Sequence, residues 1–153
     1  MTGRLLPPGL HAFDTLLTGD HFDTATLRIT PEAIRAFADL TGDHFEIHLS
    51  DAGAQAHGFA AQVAHGLLVL SLVEGLKSNA PVQLGGFAAL GWNWDFAQPV
   101  LAGDSIHARV TVLNRRKAGP QSGMLTLGLD VFNQHNQCVQ KGETRVMAHR
   151  ITD

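Results

Sequence analysis

Residues 63–76, "VAHGLLVLSLVEGL", put apolar side chains on almost every face of a helix. A helix with no polar face does not lie on a protein surface and belongs inside one. The run is also too short to cross a bilayer, which takes about 20 apolar residues. The rest of the chain must therefore supply an apolar coat for one buried helix. The sequence after residue 83 reads as that coat. Apolar and polar residues alternate there, broken by turn signals at "LAGD" (101–104), "KAGPQSG" (117–123) and "NQHNQ" (133–137). This predicts strands near 86–97, 105–113, 124–133 and 139–150. Ile106, Ala108, Val110 and Val112 share one strand face, as do Leu125, Leu127, Leu129 and Val131 on theirs. With one earlier strand at "TATLRI", 24–29, the pattern predicts an α+β fold, an antiparallel curved sheet wrapped around a central buried helix. Such a sheet covers only part of the helix, so a second subunit is expected to complete the burial.

Ahead of the helix the signals are local. Residues 1–20, with Pro7, Pro8 and several Gly and Asp, read as an irregular N-terminal arm. Thr30 reads as an N-cap, with Pro31 at the first helical position and Glu32 in the first turn. Ile34, Phe37 and Ala38 make the apolar stripe of that helix, and Gly42 its left-handed end. Ser50 or Asp51 starts a short second helix that Gly58 ends. With 153 residues, 44% hydrophobic and 16% charged, the chain suits one domain over 1–153.

A net charge of −3 without a basic face excludes a nucleic-acid footprint. One cysteine, Cys138, leaves no internal disulfide and fits a reducing compartment. The opening "MTGRLLPPGL" has too short an apolar run for a signal peptide. The expectation is a cytoplasmic protein with no membrane span and no nucleic-acid partner.

One pentapeptide occurs twice. "TGDHF" stands at 18–22 and again at 41–45. It does not extend into a longer repeat, and the two copies diverge immediately downstream. Five residues after Asp20 comes Ala25; five residues after Asp43 comes His48. A carboxylate and an imidazole can share the transfer of a proton, whereas a carboxylate and a methyl cannot. Asp43 falls on a loop directly after a helix. His65 and Gly66 stand at the start of the buried helix, where unpaired N–H groups and a partial positive charge collect. The N–H of Gly66 has no side chain in front of it and suits a carbonyl oxygen that gains negative charge. Together these residues read as addition or removal of water beside an activated carbonyl.

The run "FADLTGDHFEIHLSD", then "AHGLL", then "WDFAQPVLAGDSI" resembles the MaoC-like dehydratase family, which includes R-specific enoyl-CoA hydratases. Gly42, Asp43 and His48 match the family's Gly-Asp-x-Asn-Pro-x-His. Ala64, His65 and Gly66 match its Ala-His-Gly. Phe96, Pro99, Val100, Gly103 and Asp104 match its Phe-x-x-Pro-Val-x-x-Gly-Asp. The resemblance covers roughly residues 18–150 and implies the hot-dog fold, with dimers as the basic unit. It implies an acyl-CoA thioester substrate, coenzyme A being part of the substrate and no other cofactor needed. It assigns Asp43 and His48 as the dyad that activates water and the Gly66 backbone N–H to the thioester carbonyl. His65 beside it is a structural side chain or a lesser substrate contact. The chain departs from the pattern where Phe45 and Glu46 replace Asn-Pro.

Other features read more plainly. His44 and His48 stand four apart but not as His-Glu-x-x-His, so no bound metal is expected. Trp92, Trp94 and Phe96 share one strand face and read as packing. Arg115, Arg116 and Lys117, near a hairpin tip, read as a solvated run or as partners for coenzyme A phosphates. Two alternatives stay open beside the hydratase: a hot-dog acyl-CoA thioesterase, whose water attacks the carbonyl carbon, and a non-catalytic acyl-CoA-binding subunit.

Overall fold

The computed structural model describes residues 3–150. Met1 and Thr2 of the N-terminal arm, and residues 151–153, lie outside the described residues. The described arm contains a short strand, β1 (Gly9–Leu10), and a 3-10 turn over Phe13–Thr15. Phe13 and Leu16 are fully buried, so the arm feeds the core despite its irregular backbone.

Of the expected strand at 24–29 only β3 (Leu27–Arg28) forms, and a separate strand, β2 (His21–Asp23), precedes it. Thr24 interrupts the pairing between them. Its hydroxyl accepts the Ala108 N–H at 2.9 Å and donates to the Ala25 carbonyl at 2.9 Å, so a side chain takes over a ladder position. Helix α1 (Pro31–Thr41) forms as its signals direct. The Thr30 side chain accepts from the Ala33 N–H at 3.1 Å, and Gly42 closes the helix at φ 80°. A 3-10 turn over Glu46–His48 comes next, then α2 (Asp51–Gln55). Ser50 is the cap of α2, accepting from the Gly53 N–H at 2.9 Å. Asp51 instead accepts from the Gln62 N–H at 2.8 Å. Gly58, at φ 87°, lies beyond the helix in the turn that leaves it.

The central helix, α3, spans Gly66–Ser78. Residues 63–65 are not helical, because Val63 N–H bonds the Ile47 carbonyl and Ala64 N–H bonds the Val100 carbonyl. Val69 and Val73 are fully buried, each burial contributing about 1.5–3 kcal/mol. The helix is not covered all round: Leu67, Ser71 and Gly75 form an exposed stripe, with Leu67 61% exposed. The remaining strands are β4 (Val82–Gln83), β5 (Gly86–Phe96), β6 (Ser105–Lys117), β7 (Ser122–Phe132) and β8 (Cys138–His149). The main sheet has the order β2-β6-β7-β8-β5, antiparallel throughout, with β3 also on β6. Short β1 and β4 pair in parallel. The inward faces of β6 and β7 carry the expected rows, Ile106 to Val112 and Leu125 to Val131, all buried. Strand β5 is an edge of the sheet. Phe87, Leu90 and Phe96 stand exposed on it.

Candidate active site

Three segments meet at the N-terminal end of α3. The first is the loop that leaves α1. Thr41 shapes it, its hydroxyl donating to the Phe37 carbonyl at 2.7 Å and accepting the Asp43 N–H at 3.2 Å. Asp43 is exposed there. The second is the 3-10 turn that presents His48. The third is the extended stretch 63–65 that enters α3.

His48 is buried, and its Nδ1 lies 2.8 Å from the Val63 carbonyl. A carbonyl only accepts, so Nδ1 carries the proton and donates it. The neutral ring therefore holds its lone pair on Nε2, ready to take a proton. His65 is the N-cap residue of α3 and is 3% exposed. Its Nε2–H donates to the Asp43 carbonyl at 3.0 Å. Its Nδ1 is buried without a hydrogen-bond partner among the described residues. The His65 ring lies between Phe37, at 4.9 Å, and His48, stacked at 3.8 Å with an interplanar angle of 21°.

The carboxylate of Asp43 and ring nitrogens of His48 and His65 lie within 4.8 Å of one another. Such a trio has the composition of a metal site, but its geometry is poor for one. The lone pair of an imidazole lies in the ring plane, and two stacked rings do not aim theirs at a common point about 2.0–2.1 Å from each. The arrangement suits a water held between a carboxylate and a base.

Beside His48 lies a cavity of ≈ 330 Å³, lined by His48, Phe59, Gly66, Phe96, Pro99 and Gln140 among others. Asp43 and His65 do not line it. Gly66 opens α3, so its N–H belongs to the first turn, whose donors have no intrahelical acceptor. A Cβ at position 66 would sit 2.5 Å from the Phe96 ring, so a side chain there would displace that ring. Asp104 holds the turn at the end of the third motif, accepting the Leu101 N–H at 2.9 Å and the Gln134 amide at 2.8 Å.

The structure also places residues the sequence left ambiguous. Glu46 turns away from the dyad, its carboxylate 2.6 Å from His57 Nε2. Phe45 packs edge-on to His48 at 6.4 Å and against His57 at 5.1 Å. Trp92 and Trp94 pack on the core as expected, while Phe96 is 57% exposed. Arg116 and Lys117 are exposed at the end of β6, and the Arg115 guanidinium lies 5.7 Å from the Phe13 ring. Sequence reading missed Gln140, a buried polar side chain on the inward face of β8. The signal was available: Gln140 and Thr144 interrupt the apolar alternation there.

A helix wrapped by one curved antiparallel sheet defines a hot-dog fold. The family model described as MaoC like domain matches residues 15–135, and the chain belongs to the MaoC-like dehydratase family, a family of hydro-lyases. The (R)-specific enoyl-CoA hydratase of Aeromonas caviae is 34% identical over 115 residues, covering 74% of this chain and 81% of that protein. The protein MaoC of Klebsiella aerogenes is 35% identical over 100 residues, which are 65% of this chain and 30% of that protein. The MaoC-like dehydratase structure from Rhodospirillum rubrum superposes with a TM-score of 0.84 at 28% identity, covering 92% of this chain and 97% of that one.

Proposed function

We propose that the chain adds water to a 2-enoyl-CoA thioester, or removes it from the corresponding 3-hydroxyacyl-CoA. The observation that carries this reading is the convergence of Asp43 and His48 within 4.8 Å, beside a cavity that His48 shares with Gly66. The thioester carbonyl sits at the Gly66 N–H, which draws electron density from C3. Asp43 orients a water. His48 Nε2 takes its proton as the oxygen bonds to C3, and charge collects on the thioester oxygen. A proton returned to C2 completes the addition, and the reverse sequence expels water. The chain's own residues suffice for these steps, with coenzyme A entering only as part of the substrate.

The acyl-CoA substrate is supported by the hydratase relative, and the dyad by the geometry. A homodimer is supported by exposed Leu67 on α3 and exposed Phe87, Leu90 and Phe96 on the edge strand. A second copy would cover them, and light scattering should then give twice 16.4 kDa. Among the described residues no helix is long and apolar enough to cross a membrane. The single thiol, Cys138, supports a cytoplasmic placement.

The test is a panel of 2-enoyl-CoA esters, including crotonyl, octenoyl and branched or dicarboxylic C4–C5 acyl groups. Enoyl absorbance and free thiol are monitored together. Loss of absorbance without thiol is the expected result. Thiol release would make the chain a thioesterase, and silence across the panel would leave an acyl-CoA-binding subunit.

A further inference from the structure

We infer that Gln140 and Trp94 form a positioning relay that fixes the Gly66 backbone at the mouth of α3. The inference rests on the proposed role of Gly66. Gln140 is 2% exposed, yet it stands among apolar side chains on the inward face of β8. A buried amide there is costly unless its groups are bonded. Both ends are. Its Nε2 donates to the Gly66 carbonyl at 3.1 Å, and its Oε1 accepts from Trp94 Nε1 at 2.9 Å. The orientation of the amide is unambiguous. An indole N–H only donates and a carbonyl only accepts, so the flipped amide would face a donor with a donor and an acceptor with an acceptor.

The relay answers a conflict at position 66. The Phe96 ring, 2.5 Å from where a Cβ would stand, favours glycine there. Glycine, however, is the residue with the freest backbone, at a place where one N–H must be held still toward a developing oxyanion. Holding the Gly66 carbonyl from β8 removes that freedom without placing a Cβ in the cavity. Trp94 holds Gln140 in turn. Gln140 lies beyond residues 15–135 of the family match, so the relay is read from this chain's geometry alone.

Gln140→Met keeps the volume and deletes both hydrogen bonds; Trp94→Phe deletes one. With the best ester of the panel, Gln140→Met is expected to lower kcat about ten-fold or more while KM stays within about two-fold. Trp94→Phe should act in the same direction more weakly, and the double variant should be no worse than Gln140→Met alone. The backbone order parameter at Gly66, measured by NMR, is expected to sit near about 0.85 in the wild type and to fall in Gln140→Met. A wild-type kcat in Gln140→Met, or a drop in melting temperature with kcat unchanged, overturns the relay. If the wild type turns over no enoyl-CoA ester, the hydratase reading falls instead. The relay then stands on the order parameter alone, and an equally rigid Gly66 in Gln140→Met overturns it.

Discussion

The two "TGDHF" segments hold the same five residues and meet opposite fates. In both, the glycine is left-handed, at φ 95° for Gly19 and 80° for Gly42. In the first copy the chain turns inward. Asp20 is 1% exposed and Phe22 3% exposed. The Asp20 carboxylate accepts Arg4 Nε and Nη2 at 2.8 and 2.5 Å and the Leu17 N–H at 2.8 Å. In the second copy Asp43 and Phe45 are exposed, and the carboxylate faces His48 and His65. An aspartate whose oxygens are all engaged by a guanidinium and an amide is a structural brace. The Asp43 carboxylate instead accepts only a long bond from the Phe45 N–H, at 3.4 Å, and lies beside an imidazole. Identical letters therefore specify a turn, and the surroundings specify its task.

The largest expected effect separates the two aspartates by activity. Asp43→Asn and His48→Gln should each lower kcat by at least about 100-fold with the fold intact by circular dichroism. Asp20→Ala should do the reverse. Removing its carboxylate leaves the Leu17 N–H unsatisfied and Arg4 unpaired, a loss of about 1–3 kcal/mol in denaturant unfolding, with kcat per folded molecule unchanged. A large activity loss in Asp20→Ala without unfolding would erase the contrast.

The pH dependence of stability sharpens it. Hydrogen bonds from Arg4 hold the Asp20 carboxyl below its ordinary value of 3.8, and those from Arg109 do the same for Asp23. A depressed carboxyl stabilises the fold above its unfolded pKa and loses that contribution as pH falls through the folded value. Stability should therefore fall on acidification below about pH 4, and fall less steeply in Asp20→Ala. Two near-null results complete the series. Ala25 is exposed, so Ala25→His restores the five-residue spacing in the first copy without strain. It should not rescue activity in a His48→Gln background. Glu46→Gln should leave kcat within about two-fold, because that carboxylate is held by His57 rather than by substrate.

What the sequence made legible was local or periodic. Thr30, Pro31 and Gly42 bounded α1 because each acts within one turn. The rows on β6 and β7 came from a period of two. The predicted strand at 24–29 failed because Thr24 bonds Ala108 through its side chain, which periodicity does not register. Ordered motifs singled out Asp43, His48 and Gly66, which lie at one end of α3, but the tautomer of His48 depends on a carbonyl fifteen residues away. The stacking of His65 on His48 and the Trp94–Gln140–Gly66 chain join segments far apart in sequence, so they appear only once the sheet has closed on the helix.

The central claim is that Asp43 and His48 deliver water to C3 of a thioester whose carbonyl rests on Gly66. The most direct measurement is turnover of an enoyl-CoA ester in water enriched in oxygen-18, with the product analysed by mass spectrometry. The account expects one labelled oxygen in a hydroxyl at C3, the thioester intact, and initial labelling at least about 100-fold slower with His48→Gln. Label in a free carboxylate with release of coenzyme A, or equal initial rates of labelling by wild type and His48→Gln, would contradict it.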